Sequence, residues 1–258
     1  MCDCCAVDKK GNTWSYQDRL DWPRLYKKYF STMKTPIDID NSQGKIINTD
    51  IDINNLQMNW SKNQKVYSVP NQNYIQYNCL SEDSYITLNN DKYNLLQFHF
   101  HASAENTINK MYYPMEVHFV HGYTDESKIQ KLVVIALHLE QTRIPNEVSP
   151  LTVNLVENYD KEVEFNLSIY NELPNETFYR WLGSLTIPPF SNNLLFNLWT
   201  VNDVKYKFPV GISPNNLYNF NHFFADSRDL ITNEYKENRE ALPLKDNFLA
   251  VSVIKKKK

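Results

Sequence analysis

Gln97-Phe98-His99-Phe100-His101, followed by Met115-Glu116-Val117-His118-Phe119-Val120-His121, sets imidazoles in two segments of β type. Side chains alternate along a strand, so His99 and His101 aim the same way, and Glu116, His118 and Val120 share a face likewise. Three imidazoles can then converge. Three neutral nitrogens hold a zinc ion and leave its fourth position open for water, which is the pattern of a catalytic rather than a structural site. The competing reading is that His99, His101 and His118 are core histidines that only hydrogen-bond, and their spacing alone does not separate the two.

The surrounding sequence does. Ala102-Ser103-Ala104-Glu105-Asn106-Thr107-Ile108-Asn109-Lys110 and Tyr112-Tyr113-Pro114 fill the interval between the histidine segments. Trp14-Ser15-Tyr16 and Thr35-Pro36-Ile37-Asp38-Ile39 stand near the start, and Gly183-Ser184-Leu185-Thr186-Ile187-Pro188-Pro189 stands later. In that order, over roughly residues 14 to 250, these elements resemble the α-class, eukaryotic-type carbonic anhydrases. The motifs of that family run Trp-Gly-Tyr, Ser-Pro-Ile-Asp-Ile, His-x-His, a Ser-Glu-His-Thr-like loop, Tyr-Pro, Glu-x-His-x-Val-His and Gly-Ser-Leu-Thr-Thr-Pro-Pro. A cupin His-x-His-x3-Glu site is the other way to use such a pair. It needs glycines before the pair and after the Glu, and a second distant His, none of which stand at the proper spacing.

The resemblance implies Zn2+ held by His99, His101 and His118, and reversible hydration of carbon dioxide to bicarbonate and a proton. It implies that Thr186 and Glu105 aim the attacking hydroxide, and that Gln97 and Glu116 fix the tautomers of His99 and His118. The carbon dioxide pocket would be walled by Val120, Val134, Leu185, Leu194 and Phe196, with Phe196 in place of the usual Trp. Several positions depart from the family. Asn73 stands where fast members carry a proton-shuttling His, and Asn cannot take up and release a proton near neutral pH, so slower turnover is expected. Ile187 replaces the second Thr of Thr-Thr-Pro-Pro and adds bulk beside bicarbonate. Ala102 replaces a Trp and Asn106 replaces the His after Glu105, both bearing on the stiffness of that loop. The alternative is a carbonic-anhydrase-like binding or assembly module with little or no turnover.

These groups need strands to position them, and apolar alternation predicts strands at Tyr85–Leu88, Leu95–His101, Met115–His121, Leu132–Leu139 and Phe248–Ile254. Helices are predicted over Asp18–Phe30, Ser149–Asn158 and Asn215–Phe224, the last opened by Ser213-Pro214. The class expected is mostly β with short helices. The resemblance adds one α-carbonic-anhydrase-like domain over residues 13–254, with a central twisted, mainly antiparallel sheet and a zinc cleft, between an N-terminal Cys-containing tail (1–12) and a Lys tail (255–258). Only 5 of 258 residues are glycine, so asparagines are expected at left-handed turn positions. Nothing pairs His121, His138 or His222 with the metal site, so packing or surface roles are expected for them.

A net charge of −3 gives no reason to expect nucleic acid as a partner. No apolar run reaches the roughly 18 residues of a spanning helix, and no signal-like N-terminus is present, so the expectation is an intracellular, cytoplasmic protein. Cys2, Cys4 and Cys5 crowd the N-terminus, leaving Cys79 alone inside the fold, which argues against a disulfide framework. Those thiols as S-acylation sites, with Lys255–Lys258 as a basic tail, would give lipid-anchored, peripheral membrane association. The opposing reading is two solvated tails.

Overall fold

The computed structural model describes residues 35–39, 56–69, 75–124, 130–173, 178–187, 192–205, 207–226, 242–243 and 251–252. Trp14–Tyr16, the predicted helix at 18–30, Asn73, Pro188, Pro189 and both tails lie outside them. The strands in chain order are β1 (Ile37–Ile39), β2 (Gln57–Asn59), β3 (Gln64–Val69), β4 (Gln76–Cys79), β5 (Tyr85–Leu88), β6 (Asp91–His101), β7 (Thr107–Ile108) and β8 (Met115–Thr124). They continue as β9 (Gln130–Gln141), β10 (Glu162–Phe165), β11 (Tyr179–Ser184), β12 (Asn192–Trp199), β13 (Gly211–Ile212), β14 (Leu242–Pro243) and β15 (Val251–Ser252). Two helices, α1 (Val201–Val204) and α2 (Pro214–Asp226), are the only α segments among the described residues.

One large sheet runs in the order β10, β3, β4, β6, β8, β9, β12, β11, β15. Its pairings are antiparallel except β12 on β9 and the short β13 on β9. The fold is thus of the expected class, mostly strand with few short helices. The longest strands, β6, β8 and β9, sit side by side at its centre, and this places both histidine segments where the backbone is most firmly held. A small parallel sheet, β14, β1, β7, packs beside it.

The period of two sorts the central strands into two faces. Phe98, Phe100, Val117, Phe119, Val133, Ile135 and Leu137 point one way into the main core. Phe98 and Phe119 pack at a tilt with centroids 5.5 Å apart, and Tyr77 stacks on Phe98 at 5.1 Å. Truncating such a buried ring to Ala costs about 3–5 kcal/mol. The residues between them point the other way, and they include the three candidate ligands.

Asparagine does take the left-handed positions. Asn89 (φ 51°) and Asn90 (φ 70°) form the two-residue turn between β5 and β6, closed by the Leu88–Asp91 pair. Two successive positive φ values are what a type I′ hairpin requires. Asn109 and Asn154 are left-handed as well. The helix predicted over Ser149–Asn158 is not there. Pro150–Thr152 makes one 3-10 turn capped by the Ser149 hydroxyl, Val153 is extended (ψ 129°), and Asn154 is left-handed (φ 56°). Thr152, Val153 and Asn154 are all weak helix formers, and the Ser149 side chain competes for the backbone, so the turn is not propagated. The helix predicted after Ser213-Pro214 is present as α2, and the Ser213 hydroxyl accepts from the Asn216 amide at 3.1 Å.

Candidate metal centre

His99 in β6 stands directly opposite His118 in β8, and His101 stands opposite Glu116. That register turns two separate period-of-two patterns into one cluster. One ring nitrogen from each of His99, His101 and His118 lies within 4.8 Å of the others, and all three residues are buried. The rings face one another with centroids 4.8 to 5.2 Å apart.

Two of the three rings hold an acceptor on the second nitrogen. His99 Nδ1 is 2.8 Å from Gln97 Oε1. An amide oxygen only accepts, so Nδ1 carries the proton and Nε2 is left with a lone pair. His118 Nε2 is 2.8 Å from Glu116 Oε1, which in the same way leaves Nδ1 for a metal. His101 Nε2 lies 3.4 Å from Glu105 Oε2. Burial, and then the neighbouring His118, push the His99 imidazole well below its ordinary range, so it is neutral as a ligand must be. Buried imidazoles with oriented tautomers are the donor set that zinc favours, and an exposed acidic cluster, by contrast, would favour calcium or magnesium. The residues fit zinc.

Glu116 is the hub behind the triad. Its Oε2 accepts from the backbone amides of Glu105 (2.8 Å) and Asn106 (2.9 Å), and its Oε1 accepts from Asn106 Nδ2 (2.8 Å) as well as from His118. Burial alone would raise its carboxyl. The charge and hydrogen bond of His118, then His138 and the Asn106 amide, bring it down to about 2. The loop carrying Glu105 is therefore held firmly by Asn106, whose side-chain oxygen also accepts from the Ile37 amide at 3.0 Å. From the sequence alone, Asn106 is a departure from the family's His that puts the stiffness of this loop in question, and the structure makes it the loop's anchor.

An apolar wall adjoins the triad on the same face. Val120, Val134, Leu194 and Phe196 belong to one buried cluster, with Leu185 packed against it. The register explains the grouping, since Val120 pairs with Val134, Val134 with Phe196, and Phe196 with Trp181. The Phe196 ring meets the His118 ring edge-on at 5.8 Å. Ala136 pairs with His118, so the side chain opposite that ring is a single methyl group. Thr186 and Ile187 are buried just past the end of β11.

The approach to Thr186 is fixed by Thr35. Its hydroxyl accepts from Trp181 Nε1 (3.2 Å) and the Ser184 amide (3.1 Å), and its amide donates to Ser184 Oγ (3.3 Å). A Cβ on Gly183 would come within 2.2 Å of Thr35 Oγ1, so only glycine admits this approach.

The remaining histidines divide. His121, on the opposite face, accepts from Trp60 Nε1 at 3.0 Å and donates from Nδ1 to the Phe119 carbonyl at 3.1 Å. It is a packing residue, as expected, and burial lowers its pKa to about 3. His222 is exposed and stacks on Tyr218. His138 departs from expectation. It pairs with Glu116 across β8 and β9, with Nε2 3.8 Å from Glu116 Oε2 and 3.1 Å from the Asn106 carbonyl. Alternation places His138 on the face of Val134, four residues earlier on the same strand, but its meeting with Glu116 is a matter of register between strands.

A sequence model of the eukaryotic-type carbonic anhydrases matches residues 17–253. A carbonic anhydrase of Klebsiella pneumoniae is 31% identical over 140 residues, which is 53% of this chain and 52% of that protein. One of Nostoc sp. is 29% identical over 201 residues, 75% of this chain and 70% of that protein. The chain spans about half the length of the first of these relatives. Among solved structures, α-carbonic anhydrase from Thermovibrio ammonificans in complex with the inhibitor sulfanilamide superposes with a TM-score of 0.68. It covers 93% of this chain and 99% of its own at 22% identity, a likeness of fold.

Proposed function

Since the chain belongs to the eukaryotic-type carbonic anhydrase family, we propose that it binds zinc through His99, His101 and His118 and reversibly hydrates carbon dioxide to bicarbonate and a proton. The observation that carries this reading is the buried triad of imidazoles beside an apolar wall, with two of the three rings already turned by acceptors on their far nitrogens. When bound, zinc supplies a Lewis acid that makes water nucleophilic near neutral pH, chemistry of which this family is itself the standard example.

The protein's own groups then do four things. Gln97 and Glu116 hold the protons on His99 Nδ1 and His118 Nε2, so that the opposite nitrogens face the metal. Thr186 Oγ1 aims the attacking oxygen by accepting its hydrogen, while donating its own to Glu105. The Thr186 amide meets the oxygen that gains charge as bicarbonate forms. Val120, Val134, Leu185, Leu194 and Phe196 offer carbon dioxide an apolar surface without competing hydrogen bonds, and Ile187 narrows the space next to it.

Asn73 has no proton to exchange near neutral pH, so proton export falls to buffer and turnover is slower than in members with a shuttle His. Asn73 and Ile187 are also what would favour the second reading, a zinc-binding module with little turnover. Stopped-flow carbon dioxide hydration by zinc-loaded protein over a range of imidazole concentrations distinguishes the two. The proposed enzyme shows activity that rises with buffer, and His118→Ala abolishes both the activity and the bound zinc. Zinc-loaded protein inactive at every buffer concentration would overturn the enzymatic reading in favour of the module.

A further inference from the structure

His138 is a buried titratable group that the proposed chemistry leaves unused, and it is the one that reaches Glu116 across the sheet. Its Nε2 is 3.1 Å from the Asn106 carbonyl, an acceptor only, so that nitrogen carries the proton. Its Nδ1 is buried with no hydrogen-bond partner among the described residues, so nothing there demands a second proton. The ring lies on Tyr113, centroids 4.2 Å apart and planes 23° apart. The Tyr113 carbonyl accepts from the Ala104 amide at 2.9 Å. One side chain on the central strand β9 thus touches both ends of the turn between His101 and β8, through Asn106 and through Tyr113.

That turn decides where Glu116 sits. Of the four hydrogen bonds its carboxylate accepts, three come from residues 105 and 106 and one from His118. The carboxylate that orients His118 is therefore placed mainly by a loop, and the loop has no ladder of its own at 104–106. Strand β9, by contrast, is locked between β8 and β12. If His138 merely filled space, an apolar ring of similar volume would serve as well; the polar contact to Asn106 is what such a ring would not supply.

We propose that His138 is a positioning residue for the metal triad. The proton on its Nε2, donated to Asn106, holds the loop where it fixes Glu116, and through Glu116 the ring of His118. The proposal rests on the zinc reading of the triad. It concerns how tightly the metal is held, so it can be read without any activity measurement.

The test is zinc affinity by chelator competition on full-length protein, comparing wild type, His138→Phe and His138→Gln. Phe keeps the ring and its stacking on Tyr113 but has no donor, and zinc affinity falls about 10-fold, the lower end of what loss of a ligand's hydrogen-bond partner costs, because His138 acts one contact further away. Gln places an amide donor near the Nε2 position and restores most of that affinity. Equal affinity in Phe and wild type, or equal losses in Phe and Gln, would overturn the proposal while leaving the zinc site standing. Wild type that takes up no zinc would overturn both. Should His138→Phe fail to fold, nitrogen-15 NMR of the wild-type histidines decides. The proposal requires the Nε2–H tautomer at His138, and an Nδ1–H tautomer would sink it, since that form has no proton for Asn106.

Discussion

Replacing Glu116 by Gln is the smallest change that should disable the site, because it preserves shape and removes one acceptor. The carboxylate faces four donors within 2.9 Å, two on each oxygen. A glutamine has one acceptor oxygen and one NH2 group that only donates. If its oxygen faces His118 and Asn106 Nδ2, its NH2 points at the backbone amides of Glu105 and Asn106. If it is flipped, the NH2 points at His118 Nε2 and favours the tautomer whose proton sits on the metal-facing nitrogen. Either way two buried N–H groups lose their acceptor, at about 1–3 kcal/mol each, or about 2–6 kcal/mol in all. For a chain of this size that is a fall in Tm of at least about 4 °C, at roughly 2–4 °C per kcal/mol. Zinc affinity should drop about 10- to 100-fold. Calorimetric melting of metal-free protein reads the first effect, and chelator competition reads the second. A Glu116→Gln variant matching wild type in both would show that the hydrogen bonds around Glu116 neither stabilise the fold nor orient His118.

Two other perturbations follow from the same packing. The buried His121 stays neutral in the folded protein, its pKa lowered from 6.5 to about 3, whereas the unfolded chain takes up a proton below 6.5. Its contribution is therefore complete above pH 6.5 and is lost as pH falls toward 3, on the order of 5 kcal/mol. Denaturant melts across that range should show this loss in wild type and a correspondingly shallower pH dependence in His121→Phe; identical slopes would refute the assignment. Gly183→Ala would push a Cβ to 2.2 Å from Thr35 Oγ1 and 2.9 Å from the Phe196 ring. The strain should lower stability by about 1–3 kcal/mol or more, read as a shifted denaturation midpoint, and an unshifted midpoint would mean that Thr35 does not sit against β11.

How much of this was legible beforehand depends on which period each feature obeys. His99, His101, Glu116 and His118 were readable because alternation is local, and one strand shows its own two faces. Asn89 and Asn90 were readable in kind, since a sequence poor in glycine must find left-handed turn residues elsewhere. The failed helix at 149–158 is a case of propensity set against pattern. Its apolar spacing suited a helix, but Thr152, Val153 and Asn154 together resist one, and the Ser149 hydroxyl satisfies the amide of Leu151 in a single tight turn.

His138 and Asn106 were illegible for a different reason. Their significance lies in register, namely that Glu116 faces His138 across β8 and β9, and register is set by the whole sheet rather than by either strand. Asn106 bonds a residue ten positions away and His138 bonds one thirty-two positions away. The ligands of a metal site can be recognised one strand at a time, whereas the groups that hold those ligands are recognised only once neighbouring strands are aligned. Evaluating the departures from the family's pattern needs the same alignment. Asn106 looks like a loss when compared with the His it replaces. With β8 and β9 in register it supplies two of the three donors to Glu116 from the loop, backed by an imidazole that arrives from another strand. A substitution beside a metal site is thus weighed by the contacts its side chain makes once the strands are aligned, and here Asn106 Nδ2 bonds Glu116 directly.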